Sequence, residues 1–294
     1  MLIATVTFLQ AIGIVWFFVL GSVVGSFLNV CIYRLPRGGT IGRPRRSFCP
    51  RCGLPLRWYD NIPLASFVAL RGRCRDCGEP ISWRYPAVEL LTGLLFSVIY
   101  FRQGAQAGAD VGQLIVMLLV TTLLIFASAV DVEFTIIPEE ATVFGMLGGL
   151  LAGFLLPQLH VGPADYQTFE RLTGLTHLDG LIGSAIGAAG GGLMVLFFAL
   201  FGHVIFQREA LGFGDVTLMA MVGSFLGWKV VLVAFFLAPF FGLLYGLPLL
   251  ILKDEHVMPY GPFLSLGAVL TLIFRESLCQ YPTLLQHLPG SLLG

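Results

Sequence analysis

Long apolar runs recur from one end of this chain to the other. About 20 apolar residues suffice to cross a bilayer as a helix, and 56% of the 294 residues are hydrophobic while only 12% are charged. Soluble domains carry about 25% charged residues. We therefore predict an all-α polytopic membrane protein with about eight transmembrane helices. The predicted spans are 8–30, 86–100, 114–130, 141–156, 180–202, 215–227, 230–252 and 263–274.

The positive charge is concentrated in one window. Eleven of the 17 Lys and Arg residues lie between Arg34 and Arg84, opposed there by only three acids. Basic loops stay in the cytoplasm, so we place this window inside and the amino terminus outside. The prediction is a first transmembrane helix at 1–33, a cytoplasmic loop domain at 34–85 and a membrane domain at 86–294. The formal net charge of zero argues against a nucleic-acid partner and leaves the lipid bilayer as the predicted one.

Two C-x-x-C pairs lie inside the basic window. Cys49 and Cys52 form the first pair, Cys74 and Cys77 the second, and a glycine follows each pair. Four thiolates at this spacing are typical of structural zinc. Disulfides are the alternative, and a reducing cytoplasm disfavours them. We predict a closed, non-catalytic zinc site that stabilises the small loop domain.

Two aspartates are predicted at the same depth of the membrane. Asp131 ends the third span and Asp215 begins the sixth, and in this topology both ends face the cytoplasm. Two carboxylates that share a site do not both ionise readily. One can then activate water as a base, while the protonated partner polarises a peptide carbonyl. The pair therefore predicts peptide hydrolysis without a covalent intermediate.

Each aspartate also has a simpler interpretation. Asp215 follows Gly212-Phe213-Gly214 and opens an apolar run, where a carboxylate can cap a helix. Asp131 can be a solvated charge at the membrane boundary. Three further acids lie beside Asp131 and either mark a solvated face or attract a basic substrate: Glu133, Glu139 and Glu140.

Several segments together resemble the prepilin peptidases, the type IV leader peptidases of the G-x-G-D group of aspartic membrane proteases. The resemblance includes Gly25-Ser26-Phe27-Leu28-Asn29-Val30, the two cysteine pairs, and Asp131 followed by Ile137-Pro138. It also includes Gly212-Phe213-Gly214-Asp215 and Met258-Pro259-Tyr260-Gly261-Pro262-Phe263. It covers nearly the whole chain. It departs at Glu139, where an aspartate is usual, and at Thr217, where a lysine is usual.

The resemblance implies a specific activity. The enzyme would cut the basic leader of prepilins or pseudopilins after a glycine, at the cytoplasmic face of the bacterial inner membrane. Asp131 and Asp215 would be catalytic, with Gly212 and Gly214 supporting the motif. Members with the cysteine loop then methylate the new amino terminus with S-adenosylmethionine. Because the chain contains no glycine-rich dinucleotide fingerprint, we expect that cofactor between the basic loop and the membrane, near Asp60, Asn61, Gly72 and Arg73.

Three alternatives remain at this point. A peptidase without methyl transfer is disfavoured by the cysteine loop. A transporter or scaffold with a zinc loop would place the paired acids near mid-membrane. A presenilin-like protease shares the G-x-G-D element but cuts inside the bilayer.

Overall fold

The computed structural model describes residues 2–104, 110–160, 175–207, 211–253 and 259–274. Within these ranges the regular structure is helical, and the loop holds only three isolated β-bridges. Of the quoted segments, only Met258 lies outside the described residues. The helices are α1 Leu2–Arg34, α2 Ala65–Ala69, α3 Arg84–Ile99, α4 Val111–Phe134, α5 Glu139–Leu155, α6 Thr176–Phe206, α7 Phe213–Leu226, α8 Trp228–Lys253 and α9 Gly261–Ile273. The predicted all-α class is confirmed.

Four of these helices are long and apolar enough to cross a membrane. The candidate spans are Phe8–Arg37, which runs from α1 through the 3₁₀ turn after it, and Val111–Phe134, Thr176–Ile205 and Trp228–Gly246 in α4, α6 and α8. Helices α7 and α9 are apolar but shorter. The protein is therefore a helical membrane protein, while the count of eight spans is not confirmed.

The helices begin and end where the local sequence requires it. The Asp110 carboxylate accepts hydrogen bonds from the amides of Gly112 and Gln113 and so caps α4. That helix ends at Thr135, which has a left-handed backbone, and Pro138 then precedes α5. Gly227, at a φ of 82°, separates α7 from α8.

Small residues bring neighbouring helices into close contact. A Cβ atom on Gly25 of α1 would lie 2.7 Å from Cα of Glu89 on α3. Gly187 of α6 and Gly223 of α7 meet backbone to backbone in the same way. Glycines that let helix backbones approach this closely are typical of membrane helix packing.

Helix α4 lies between two hydrophobic cores. Its Val120 and Leu124 pack in the larger core with α7 and α9, and its Phe126 and Val130 pack in the smaller core with α1 and α3. Large apolar side chains on the outer faces, such as Trp16 on α1, are exposed and suit a lipid environment. The last turn of α4 is thereby held between the two halves of the molecule, and this turn carries Asp131.

Candidate active site

Asp131 is held by the start of a distant helix. Its side chain is 5% exposed, and Oδ2 accepts a hydrogen bond of 2.9 Å from the backbone N–H of Gly261, the first residue of α9. Helix amino termini carry partial positive charge. The negative charge of Asp131 is therefore stabilised by α9, although its own helix ends there.

Asp215 is held by the start of its own helix. It is the third residue of α7 and is 6% exposed, and its Oδ2 accepts a 3.0 Å hydrogen bond from the N–H of Gly212, the N-cap residue. The capping interpretation is thus correct in part, because the Asp215 carboxylate accepts the N–H of the N-cap residue and so satisfies one free amide at the start of α7. The two carboxylates are close enough to interact electrostatically, so the structure brings the predicted pair together.

Two glycines allow the three segments of the site to meet. A Cβ atom on Gly214 would lie 2.8 Å from Cβ of Ile137. A Cβ atom on Gly261 would lie 2.8 Å from Oδ2 of Asp131 and 3.1 Å from Cδ1 of Ile137. Ile137 therefore lies between the two glycines. This explains why glycine is needed at both positions, whereas the nearest atom to a Cβ on Gly212 among the described residues is Oδ2 of Asp215, at 3.8 Å.

The pair has the means for acid–base chemistry. Among the described residues, each carboxylate accepts one protein hydrogen bond, at Oδ2. Oδ1 of each is left to bind water or a peptide carbonyl. Tyr260, the neighbour of Gly261, interacts electrostatically with Asp215. Sequence reasoning did not find the role of the Gly261 amide, although Gly-Pro at the start of an apolar run is a helix-start signal.

The other acids near Asp131 have different surroundings. Glu133 accepts hydrogen bonds from Arg37, at 3.0 Å, and from Arg84. Glu139 and Glu140 are exposed in the first turn of α5. Glu133 therefore binds the protein's own arginines, and the two glutamates of α5 remain accessible to a basic partner.

The four predicted cysteine ligands form one cluster. Their Sγ atoms all lie within 4.8 Å of one another, and those of Cys49 and Cys77 are 3.9 Å apart. A tetrahedron with metal–sulfur bonds of about 2.3 Å has edges of about 3.8 Å. The donor set and its spacing therefore fit a metal ion.

Both cysteine pairs are built in the same way. The N–H groups of Gly53 and Gly78 donate to the carbonyls of Cys49 and Cys74, and both glycines have a φ near +70°, at 72° and 71°. Such a φ favours glycine. The backbone N–H groups of Cys77 and Asp76 lower the pKa of Cys74 to about 7, which favours the thiolate form that metals bind.

A cavity of about 410 Å³ lies between the loop domain and the ends of α1, α3 and α4. Asp60 and Asn61 line it, but Gly72 and Arg73 do not. Gly72 instead supports the wall, because its N–H donates to the carbonyl of Phe67 and its carbonyl accepts from Ile81. The Arg75 guanidinium binds Asp60 at 2.7 Å and lowers the pKa of that carboxyl.

Two buried polar atoms in the cavity wall have no hydrogen-bond partner within the described part of the chain. They are Oδ1 of Asn29 and Nε of Arg84. Buried polar groups are normally satisfied, so these atoms suit a polar ligand. The volume is in the range of small-molecule sites, roughly 300–1,000 Å³.

Buried paired aspartates, a four-cysteine cluster and an apolar helical bundle define a class, the multi-pass membrane proteins with an acid pair at the ends of their helices. Comparison with protein families narrows this class. Residues 19–103 match the bacterial peptidase A24 N-terminal domain, and residues 117–247 match the type IV leader peptidase family. The chain belongs to the type IV leader peptidase family, which confirms the resemblance.

Relatives of known name agree with this family. A prepilin leader peptidase/N-methyltransferase of Myxococcus xanthus is 43% identical over 81% of this chain and 63% of the relative's own length. Proteins of the same name from Aeromonas salmonicida and Pseudomonas aeruginosa are 30% and 31% identical over 90% and 88% of this chain, and over 91% and 89% of their own. No solved structure matches the chain.

Proposed function

We propose that this protein removes the basic leader from prepilins or pseudopilins and then methylates the new amino terminus. The cut would follow a glycine at the cytoplasmic face of the bacterial inner membrane. The observation that carries the proposal is the convergence of Asp131 and Asp215, each buried and each bonded to a helix amino terminus. The printed names of the relatives support both halves.

Hydrolysis follows from the two carboxylates. The ionised aspartate takes a proton from water as the water oxygen attacks the scissile carbonyl carbon. The protonated aspartate donates a hydrogen bond to the carbonyl oxygen, and a proton then passes to the leaving amine as the C–N bond breaks. The amides of Gly261 and Gly212 fix the Oδ2 atoms while the Oδ1 atoms face the reactants.

The charge pattern supports a position at the inner membrane face. The Arg-rich loop joins the ends of α1 and α3, and its Arg37 and Arg84 pair with Glu133, two residues after Asp131 at the end of α4. Basic loops of this kind are retained in the cytoplasm and favour anionic headgroups. A substrate helix beside the bundle would then present its leader junction to Asp131 and Asp215.

The cysteine cluster would hold a structural zinc ion. Its four thiolates would fill all tetrahedral positions, which leaves no open position for catalysis. The loop has little regular secondary structure to hold its shape. The ion would therefore stabilise the wall of the 410 Å³ cavity, which Cys49 and Cys74 line.

That cavity is our candidate site for S-adenosylmethionine. The donor would supply an electrophilic methyl group on a sulfonium. Asp60 and Asn61 line the cavity as predicted, and the unpartnered atoms of Asn29 and Arg84 offer it an acceptor and a donor. Gly72 would act indirectly, by holding Phe67 and Ile81 in the wall, and Arg73 would do so through the bond of its N–H to the carbonyl of Leu70, another wall residue.

Leader cleavage by purified protein in lipid, followed by mass spectrometry, tests the proposal. Asp131→Asn and Asp215→Asn should each reduce the cleavage rate by about 100-fold or more, because each removes an acid–base group. Asp179→Asn is the matched control, since Asp179 is equally buried, at 3% exposed, but lies at the start of α6. Normal cleavage by either active-site variant would refute the acid pair.

The same experiment separates the alternatives. A peptidase-only enzyme would produce the cut product without the methyl group. A presenilin-like protease would cut within the apolar segment of the substrate, and a transporter or scaffold would not cut at all.

A further inference from the structure

We infer that Glu89 is the general base of the methyl-transfer reaction, and that Asn29 positions the amine of the peptide. This inference rests on the proposed function and deepens it. It concerns the inner wall of the 410 Å³ cavity, where α1 and α3 meet.

Glu89 lies at one of the close approaches of these two helices. It lies in the second turn of α3, is 8% exposed, and faces Gly25 of α1. Its Oε2 accepts a 2.8 Å hydrogen bond from the N–H of Leu64, and its carboxylate also interacts with Ser26. Glu89, Ser26 and Asn29 all line the cavity.

The contact with Leu64 holds the loop domain on the membrane helices. Leu64 has a φ of 59° and a ψ of −47°, a backbone conformation that residues with side chains rarely adopt. Unusual backbone geometry persists where surrounding contacts enforce it, and it is common at functional sites. Here it turns the N–H of Leu64 toward Glu89 and so closes the cavity against α3.

Asn29 presents an acceptor to the same cavity, from a position four residues after Gly25 on α1. It is 2% exposed, and its Nδ2 donates a 3.0 Å hydrogen bond to the carbonyl of Tyr85. That bond directs Oδ1 away from Tyr85, and Oδ1 has no partner among the described residues. An amide oxygen and a carboxylate that line the same cavity suit a ligand with several N–H donors, which is the chemistry of a primary amine at a peptide end.

The ion pairs of the cavity distinguish Glu89 from the other acids in the wall. Within the ranges that the structure describes, it is the cavity-lining acid with no salt bridge. The others pair with arginines as Asp60–Arg75, Asp76–Arg57, Glu79–Arg51, Glu133–Arg37 and Glu133–Arg84. A carboxylate without a cation partner is the better proton acceptor, because an adjacent positive charge favours the ionised form.

The reaction balances with this assignment. Glu89 takes one proton from the terminal ammonium of the cut peptide. The freed nitrogen lone pair attacks the methyl carbon of the sulfonium donor, a C–N bond forms, and the C–S electron pair returns to sulfur as a neutral thioether. The products are a secondary ammonium and a protonated Glu89, which releases its proton to water.

The test uses a synthetic peptide with a free amino terminus, S-adenosylmethionine and the full-length protein in lipid. Glu89→Gln keeps the acceptor for Leu64 but removes the base, so the methylation kcat should fall by about 100-fold or more. Leader cleavage and the donor-induced rise in melting temperature should stay at the wild-type level. Asp179→Asn, a buried acid at the start of α6 that does not line this cavity, is the matched control and should methylate normally.

Glu89→Asp distinguishes a base from an anchor. If Glu89 is the base, the aspartate variant methylates faster than the glutamine variant, because it retains a carboxylate. If Glu89 only anchors the loop, the glutamine variant is the milder one, because it retains the length. The assignment is overturned if Glu89→Gln methylates faster than Glu89→Asp. It is also overturned if Glu89→Gln methylates at the normal rate. If the proposed methyl transfer itself is wrong, the wild-type protein will leave the peptide unmethylated. This result differs from the variant results above, and it overturns the assignment as well.

Discussion

At the scale of single residues, the site depends on backbone amides that sequence patterns do not reveal. A carboxylate in the last turn of a helix faces the negative end of that helix, as Asp131 does in α4. The unfavourable interaction is offset by the N–H of Gly261, which comes from a residue 130 positions later. A one-dimensional pattern identified both aspartates, but it contains no signal for a partner so far along the chain.

Substituting Gly261 tests this arrangement. In Gly261→Ala the new methyl group would lie 2.8 Å from Oδ2 of Asp131, so the carboxylate must move away from the amide. The loss of a hydrogen bond to a charged group costs about 1.5–3 kcal/mol, and we expect leader cleavage to slow by about 10-fold or more. Gly42→Ala is the control, because no atom of the described residues lies within 4 Å of its added carbon. Equal cleavage rates for the two variants would contradict the prediction.

At the scale of elements, the apolar runs predicted where the helices lie but not how they meet. The predicted span 86–100 corresponds to α3 at Arg84–Ile99, and the span 215–227 corresponds to α7 at Phe213–Leu226. The pairings of α1 with α3 and of α6 with α7 depend on which glycines face each other. In a bilayer, apolar side chains contact lipid as favourably as they contact another helix. The spacing of apolar residues therefore does not indicate which helices pair.

The contact between α6 and α7 gives a prediction about stability. In Gly223→Ala the added carbon would overlap the backbone of Gly187, and overpacking costs about 1–3 kcal/mol. We expect a lower melting temperature in lipid and slower leader cleavage, because α7 carries Asp215. In Gly148→Ala the carbon would reach only Phe225, at 3.4 Å. This control should melt at or above the wild-type temperature, and a similar loss in both variants would refute the explanation.

At the scale of the whole molecule, the two proposed activities use different parts of the chain. The acid pair lies on α4 and α7, while the cavity lies between the loop domain and the ends of α1, α3 and α4. The sequence indicated this division through its cysteine spacing and charge. It did not indicate that Glu133 of α4 would bind Arg37 and Arg84, since ion pairs between distant segments depend on how the helices assemble.

Removing a metal ligand should therefore separate the activities. Cys74→Ser should lower the zinc content measured by mass spectrometry and abolish methylation, because Cys49 and Cys74 line the cavity. Leader cleavage should persist, since the membrane helices retain their own cores. Arg45→Lys, on the exposed part of the same loop, should leave both activities intact. Loss of cleavage together with methylation in Cys74→Ser would contradict the division.

The last turn of α4 also determines how a product travels. Asp131 and Glu133 are two positions apart, and so point about 200° away from each other around the helix. Asp131 faces the amide of Gly261, while Glu133 lines the cavity. In the proposed function, a freshly cut chain end would pass around one helix, a path of roughly 16 Å for a helix about 10 Å across, without leaving the membrane surface. Because the path is short, we expect the cut peptide to move directly from one site to the other without release into solution. The fraction of product that is released unmethylated should therefore not change when the enzyme is diluted.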